Sequence, residues 1–242
     1  MARVHSKGCD ILVDQYDFSG ISNSVDISIA NGTADVTAFS DVALTYVEGK
    51  PKTSITVNGL YQLVEDAAMF ADLGSVTDNY LSISPIAMAD GGIVWMTKAH
   101  CTADVIPAPV GDAVALNTTW VGTDPIGDGT ILERDTNITA TVTGTAYQVG
   151  AASATQKVVG FLHVISAAGT TPTLTVTIES DDAVGFVSPT TRLTFTQVTT
   201  TASVQIKTAN GAITDTWWRA ICTVGGTSPV YNVAVTFAVI PL

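Results

Sequence analysis

Thr173-Leu-Thr-Val-Thr-Ile-Glu179 sets Leu174, Val176 and Ile178 against Thr175, Thr177 and Glu179. Successive side chains of a strand point to opposite faces, so this strict alternation describes a strand with one face in a core and the other in water. The pattern repeats at 25–30, where Val25, Ile27 and Ile29 alternate with Asp26, Ser28 and Ala30. Thr and Val enrichment extends it over most of the 242 residues. Period two with β-branched residues means half-buried antiparallel strands, so the fold class is mainly β.

Working outward, strands are expected at 9–13, 21–30, 35–39, 53–58, 80–84, 92–103 and 112–122. Between the third and fourth runs 40–52, a loop that carries Leu44, Tyr46 and Val47 yet closes on Gly49-Lys-Pro51. One stretch breaks the alternation. Over 60–73, Leu60, Leu63, Val64, Ala67, Ala68, Phe70 and Ala71 recur at three and four, Glu65, Asp66 and Asp72 supply polar positions, and Gly74 stands where a helix stops. This predicts one amphipathic helix flanking a sheet. The segment 122–130 concentrates Gly, Asp, Thr and Pro and reads as a linker. It divides the chain into domains 1–123 and 124–242. The second holds expected strands at 137–147, 157–166, 173–179, 192–196, 203–207, 217–224 and 231–240, enough for a second, all-β sandwich.

The composition excludes several functions. Ten Lys+Arg face 22 Asp+Glu, for a net charge of −12 and a pI near 4.3, with no basic cluster to grip phosphates. Residues 1–123 hold 5 basic and 14 acidic residues, net −9; residues 124–242 hold 5 and 8, net −3. Hydrophobic residues make up 46% and charged ones only 13%, against roughly 25% charged in an ordinary soluble domain. The surface is therefore covered by Thr, Ser, Asn, Gly and small apolar groups, a mixture suited to exposed sheets or to surfaces closed inside an assembly. No apolar run reaches the ~18 residues of a membrane helix or forms a secretion signal at the amino terminus, so synthesis in a cytoplasm without membrane insertion is expected.

Material for catalysis is thin. Cys9, Cys101 and Cys222 lack metal-type spacing and read as reduced thiols. His5, His100 and His163 are scattered; His100 and Cys101 adjoin on an expected strand and so face opposite ways. His163 shares a face with Phe161 and Ile165 and reads as a core histidine. The acidic loops 124–128 and 179–182 lack the spaced ligands of a calcium loop. Asn31, Asn117 and Asn137 open glycosylation-type triplets, which have no consequence without secretion. No catalytic residue, metal site or cofactor is expected. Trp217 and Trp218, adjacent on a strand, must face opposite ways, one into a core and one toward a partner or a glycan.

The first 123 residues resemble the major tail tube proteins of long-tailed bacteriophages. The resemblance is carried by Gly8-Cys-Asp-Ile-Leu-Val-Asp-Gln-Tyr-Asp-Phe-Ser-Gly20, Asn23-Ser-Val-Asp-Ile-Ser-Ile29, Asp35-Val-Thr-Ala-Phe39, Glu48-Gly-Lys-Pro-Lys52 and Thr53-Ser-Ile-Thr-Val-Asn-Gly-Leu60 running into the helix. It lies in the order of elements and not in a chemical motif. It implies a tail-tube-type β-sandwich or barrel, assembled as hexameric rings that stack into a virion tube enclosing the channel for genome delivery, with other tail proteins at the tube ends. It implies inter-ring contacts from the amino-terminal arm, including Val4, and from the 40–52 loop through Leu44, Tyr46, Val47, Gly49 and Pro51. Residues 124–242 resemble an appended surface sandwich. A net −9 domain repeated around a ring would show DNA a same-sign wall, with Asp26, Asp35 and Asp112 as candidate lumen acids, so DNA passes without specific binding. The alternative is a virion surface, adhesion or capsid decoration protein whose second sandwich binds a host glycan.

Overall fold

The computed structural model describes residues 8–40, 42–124, 126–199 and 201–242. In chain order the elements are β1 (Asp10–Val13), β2 (Tyr16–Asp17), β3 (Ser22–Asp35), β4 (Tyr46–Leu60), α1 (Leu63–Asp72), β5 (Asn79–Ser84), β6 (Ile93–Val105), β7 (Ala115–Gly122), β8 (Gly127–Ile138), β9 (Val142–Thr143), β10 (Tyr147–Gln148), β11 (Gln156–Asp181), β12 (Thr190–Thr194), β13 (Ser203–Asn210) and β14 (Trp217–Pro241). The protein is mainly β, antiparallel, with one α-helix among the described residues. The chain divides into two compact units: Met1–Gly20, Asn79–Thr97 and Ile126–Leu242 form the first, Ile21–Asp78 and Lys98–Pro125 the second.

Unit 1 is built on β11 and β14, paired from Gln156↔Pro241 to Asp181↔Trp217. Its expected strands 157–166 and 173–179 are one strand. Register shifts between Val164 and Thr173 bend it, where Gly169 and Gly226 at φ 125° and 97° take conformations that L side chains rarely adopt. The bend folds the ribbon over itself, so Val158, Leu162 and Val164 share a core with Leu174, Val176 and Ile178. Trp218 and Phe237, from opposite halves of β14, meet at 4.4 Å between ring centroids. That core is a sandwich: β13 and β8 flank one half of the ribbon, β12, β9 and β10 the other.

The alternate side chains of the first half, Val159 and Phe161, face a second cluster with Leu12, Met88, Val94, Met96, Ile131, Ala234 and Ala238. This corrects the expected division at 123/124. Residues from β1 and from 79–97 share this second cluster with β8, β11 and β14, within one compact unit. The stretch read as a linker runs into β8, whose Gly127 pairs with Met96. Its glycines are needed for close packing, because a Cβ on Gly129 would stand 2.5 Å from the Phe237 carbonyl oxygen. The expected strand 137–147 is likewise broken into the end of β8 and the short β9 and β10.

Unit 2 is a sheet in the order β3-β4-β7-β6, with α1. Thr53, Ile55 and Val57 of β4, Leu116, Thr118 and Trp120 of β7 and Cys101 of β6 are buried, as period two requires. The β3–β4 ribbon is longer than expected, paired from Ser22↔Gly59 to Asp35↔Tyr46. The 35–39 run is therefore not a strand beyond Asp35, and the expected loop 40–52 is strand from Tyr46 onward.

The helix spans Leu63–Asp72 and stops before Gly74, whose φ of 77° suits a residue without Cβ. Its orientation corrects the amphipathic reading. Met69 and Glu65 are buried, whereas Leu63, Val64 and Phe70 are 69%, 59% and 71% exposed. Residues 65, 69 and 72 repeat at the same helical spacing as the apolar stripe, so periodicity alone fits either face. The charge of Asp72 reaches Cys101 and that of Asp66 reaches Asp104, which puts the helix's acidic side against β6.

Candidate assembly interface

The two faces of the unit 2 sheet differ chemically. Opposite the buried face, Thr56 and Thr119 meet across β4 and β7 with hydroxyls 3.3 Å apart. Asn58 Nδ2 donates to Ser24 Oγ at 3.0 Å and Thr102 Oγ1 donates to the Thr119 carbonyl at 3.1 Å. This face is hydroxyl-rich, and by register it also carries Asp26, Lys52 and His100, of which Asp26 and Lys52 are exposed. Asp26 pairs with Thr56, in the middle of the ribbon. The other two candidate lumen acids lie elsewhere. Asp35 ends β3, where Thr37 donates to it from both its amide and its hydroxyl and holds its carboxyl below the usual range. Asp112 lies in the turn before β7, its carboxylate accepting the Ala113 amide, and not in a strand. The three acids do not converge.

At the far end of the ribbon the turn is tied at its base. The Val36 amide donates to the Thr45 carbonyl and the Thr45 amide to Thr37 Oγ1, each at 2.9 Å. Beyond this clasp Phe39 and Val42 are fully exposed, with Leu44, Tyr46 and Val47 at 66%, 54% and 54%. Gly49 and Pro51 lie on exposed β4 positions just below. Val4 lies outside the described residues. Of the exposed large apolar side chains, all but Ile86, Ile93, Val184, Val187 and Leu242 belong to unit 2. Val36, Phe39 and Val42 were not singled out by sequence; the signal available was that they are apolar residues spaced along a stretch rich in turn formers.

The positive charge of unit 2 is confined to three lysines. Lys98 Nζ lies 3.0 Å from Asp78, whose carboxylate also accepts the Thr123 hydroxyl and lies 3.6 Å from His100. Burial works to raise the Asp78 pKa, but these hydrogen bonds and positive neighbours win and hold it low. Lys50 and Lys52 are exposed on the ribbon below the tip. Under the helix, burial and the charge of Asp66 raise Asp104.

Unit 1 holds the remaining chemistry. His163 is fully buried: Nδ1 donates to the Asp14 carbonyl at 2.6 Å, which leaves Nε2 to accept the Ser82 hydroxyl at 2.8 Å, and Ser82 Oγ then accepts Thr236 Oγ1–H at 3.0 Å. The Asp14 carboxylate accepts the Tyr80 amide and Asn79 Nδ2, both at 2.7 Å. The network thus joins all three segments of the unit. Burial is the main cause pushing the imidazole down to about 4, with Arg134 adding to it and the Asp14 bond opposing. Ser82 and His163 have the contact geometry of a nucleophile and base, but both are 0% exposed. Glu133, also buried, is pushed up to about 7 by burial, then by Asp90 and Asp135. Trp218 enters the core and donates from Nε1 to the Gly150 carbonyl at 2.9 Å; Trp217 is half-buried, paired with Asp181 and Gln148. Glu179 accepts Arg219 at 2.9 Å, and Asp181 caps the amides of Ala183 and Ser188. Cys101 and Cys222 are buried free thiols and Cys9 is half-buried.

No family model and no curated protein matches the chain. Among solved structures it is similar to a chain of the virion of a native gene transfer agent particle, at 14% identity and TM-score 0.42, over 51% of this chain and 97% of that one. A chain of the tail of an empty gene transfer agent particle, solved with C6 symmetry, matches at 12% identity and TM-score 0.39 over 49% and 94%. The SPP1 Dit protein, described as a hub adsorption apparatus in phages infecting Gram-positive hosts, matches at 12% identity and TM-score 0.38 over 97% and 100%. Likenesses at these scores do not assign a function.

Proposed function

We propose that the chain is a structural subunit of a phage tail, in which unit 2 assembles with copies of itself into hexameric rings that stack around a channel for the genome. The observation that supports this most is the concentration of exposed apolar side chains in unit 2, at the ribbon tip and on α1, in a protein whose own cores leave them unused. Apolar exposure on that scale marks an interface. β3 forms an edge of the unit 2 sheet, with β4 its partner among the described residues, and an edge of this length is normally covered, since open ones template uncontrolled pairing. Joining the edge of one copy to the edge of the next closes a ring without a free strand.

The hydroxyl-rich face, which carries Lys52 beside Asp26 but no cluster of cations, suits a bore through which duplex DNA slides, since a cluster of cations there would hold phosphates through counterion release. The reading needs no cofactor and no catalytic step; its partners are further copies, other tail proteins at the ends, and DNA in passage. Light scattering coupled to size exclusion tests it. A species near six times 25.1 kDa, growing with concentration, is expected, and a mass that stays at 25.1 kDa even at high concentration and with tail-initiating proteins added overturns it.

A further inference from the structure

The chain contains three Asn-Gly dipeptides, at 31–32, 58–59 and 210–211. In such a pair the glycine's backbone nitrogen can attack the asparagine side-chain carbonyl carbon, because no Cβ shields it. A bond forms between that nitrogen and Cγ, the Cγ–Nδ2 bond breaks, and ammonia leaves carrying the amide proton. Water then opens the cyclic imide at either carbonyl, giving aspartate or, with the backbone routed through Cγ, isoaspartate. Water is the one reagent required. The backbone must also be free to bring nitrogen and carbon together, and a paired, extended strand holds them apart.

The three pairs sit in different settings. Asn58 lies in β4 between β3 and β7, opposite Ser24 and Asn117. Its Nδ2 donates to Ser24 Oγ at 3.0 Å, and Gly59 is buried. Asn210 is exposed, but the Gly211 amide donates to the Gln156 carbonyl at 2.8 Å, which occupies the attacking nitrogen. Asn31 and Gly32 are both exposed, on β3, whose partner among the described residues is β4. The register shifts there, from Asn31↔Pro51 to Thr33↔Glu48, so Gly32 has no residue directly opposite. Pro51 has no N–H to give to Asn31. A Cβ on Gly32 would meet nothing within 4 Å. Sheet edge, register shift and proline together make this the stretch of the ribbon that opens most easily.

We infer that Asn31 is a site of spontaneous deamidation, converted to aspartate and isoaspartate in the folded protein while Asn58 and Asn210 are preserved. The inference goes beyond the assembly reading and does not depend on it. The product adds a carboxylate to a chain of net charge −12, on the ribbon face that also carries the exposed Ile29 two residues before. Isoaspartate further adds one atom to the backbone of β3, between the run paired up to Ala30 and the run paired from Thr33 to Asp35. The strand beyond it must then shift against β4 or lose its pairing.

Incubation of the intact folded chain at mildly alkaline pH, followed by peptide mapping with mass spectrometry, tests the assignment. Asn31 is expected to convert at least about tenfold faster than Asn58 or Asn210, the ratio that a modest difference in local opening produces. In urea the three are expected to convert at comparable rates, since the settings that distinguish them are gone. Gly32→Ala adds its Cβ in open space, so it keeps the wild-type melting temperature while suppressing conversion at Asn31. Asn31→Gln is expected to abolish the more acidic species that accumulates on anion exchange. Conversion of Asn31 no faster than that of Asn58 or Asn210 in the folded chain overturns the inference. A ranking that persists unchanged in urea, or wild-type conversion at Asn31 in Gly32→Ala, overturns it as well.

Discussion

Replacing Glu133 by Gln separates two opposing pH effects inside unit 1. Burial, then Asp90 and Asp135, lifts the Glu133 pKa from its ordinary 4.5 to about 7. The native state therefore keeps a proton that the unfolded chain has already released, and stability falls as pH rises through 4.5 to 7. His163 acts in the other direction. Lowered from 6.5 to about 4, it stays neutral in the native state while the unfolded chain takes up a proton, so its contribution is complete above 6.5 and is lost as pH falls toward 4. Between 4.5 and 6.5 the slopes oppose, and the wild-type profile is shallow there. At 1.36 kcal/mol per pKa unit, Glu133 costs about 3 kcal/mol at pH 8 and about 1 kcal/mol at pH 5. Glu133→Gln removes the titration while keeping the shape beside Gly144, where a Cβ would stand 3.0 Å from the carboxylate. Urea unfolding followed by tryptophan fluorescence at both pH values should show the variant gaining about 2 kcal/mol more at pH 8 than at pH 5. The same change at both values, or a loss that deepens with pH, refutes the reasoning.

Three further outcomes follow from the same geometry. Ser82→Ala removes the donor to His163 Nε2 and the acceptor of Thr236, which should cost about 1 to 3 kcal/mol and move acid unfolding to higher pH; an unchanged acid midpoint contradicts the network. A fragment of residues 1–123 should lack a cooperative melt in its first segment, since Leu12, Val94 and Met96 lose Ile131, Phe161 and Ala234, whereas a chain with short linkers in place of 21–78 and 98–125 should melt cooperatively; the reverse result defeats the division into units. Assembled particles should leave duplex DNA unbound at low salt in a gel-shift assay, and binding that strengthens steeply as salt falls speaks against the hydroxyl-lined bore.

The alternation at 173–179 marked the second half of β11 correctly, and the same rule marked β3 and β4, because period two is local. What lay beyond was not local. The stretch between the expected strands 157–166 and 173–179, with its Ala168-Gly169 turn signal, reads as a break, yet the chain bends there while staying paired with β14. Gly127 and Gly129 read as a linker because a glycine looks the same whether it frees the chain or admits a neighbouring strand. The helix is legible from its 3.6 period, but period fixes a stripe and not what covers it, so it cannot tell that Leu63, Val64 and Phe70 are exposed while Met69 is buried. Pairing of Asp10–Val13 with β5, which assigns the first segment to unit 1, has no signature in a single sequence. Leu44, Tyr46 and Val47 stood out as apolar residues leading to Gly49 and Pro51, whereas Phe39 and Val42 were hidden in a stretch that resembled strand and loop.

Electron microscopy of the purified chain at high concentration tests the central claim most directly. The account predicts rings seen end-on with a central hole and, in side view, stacks of those rings with a regular repeat. Fields of compact single particles of 25.1 kDa, without rings at any concentration, would contradict it.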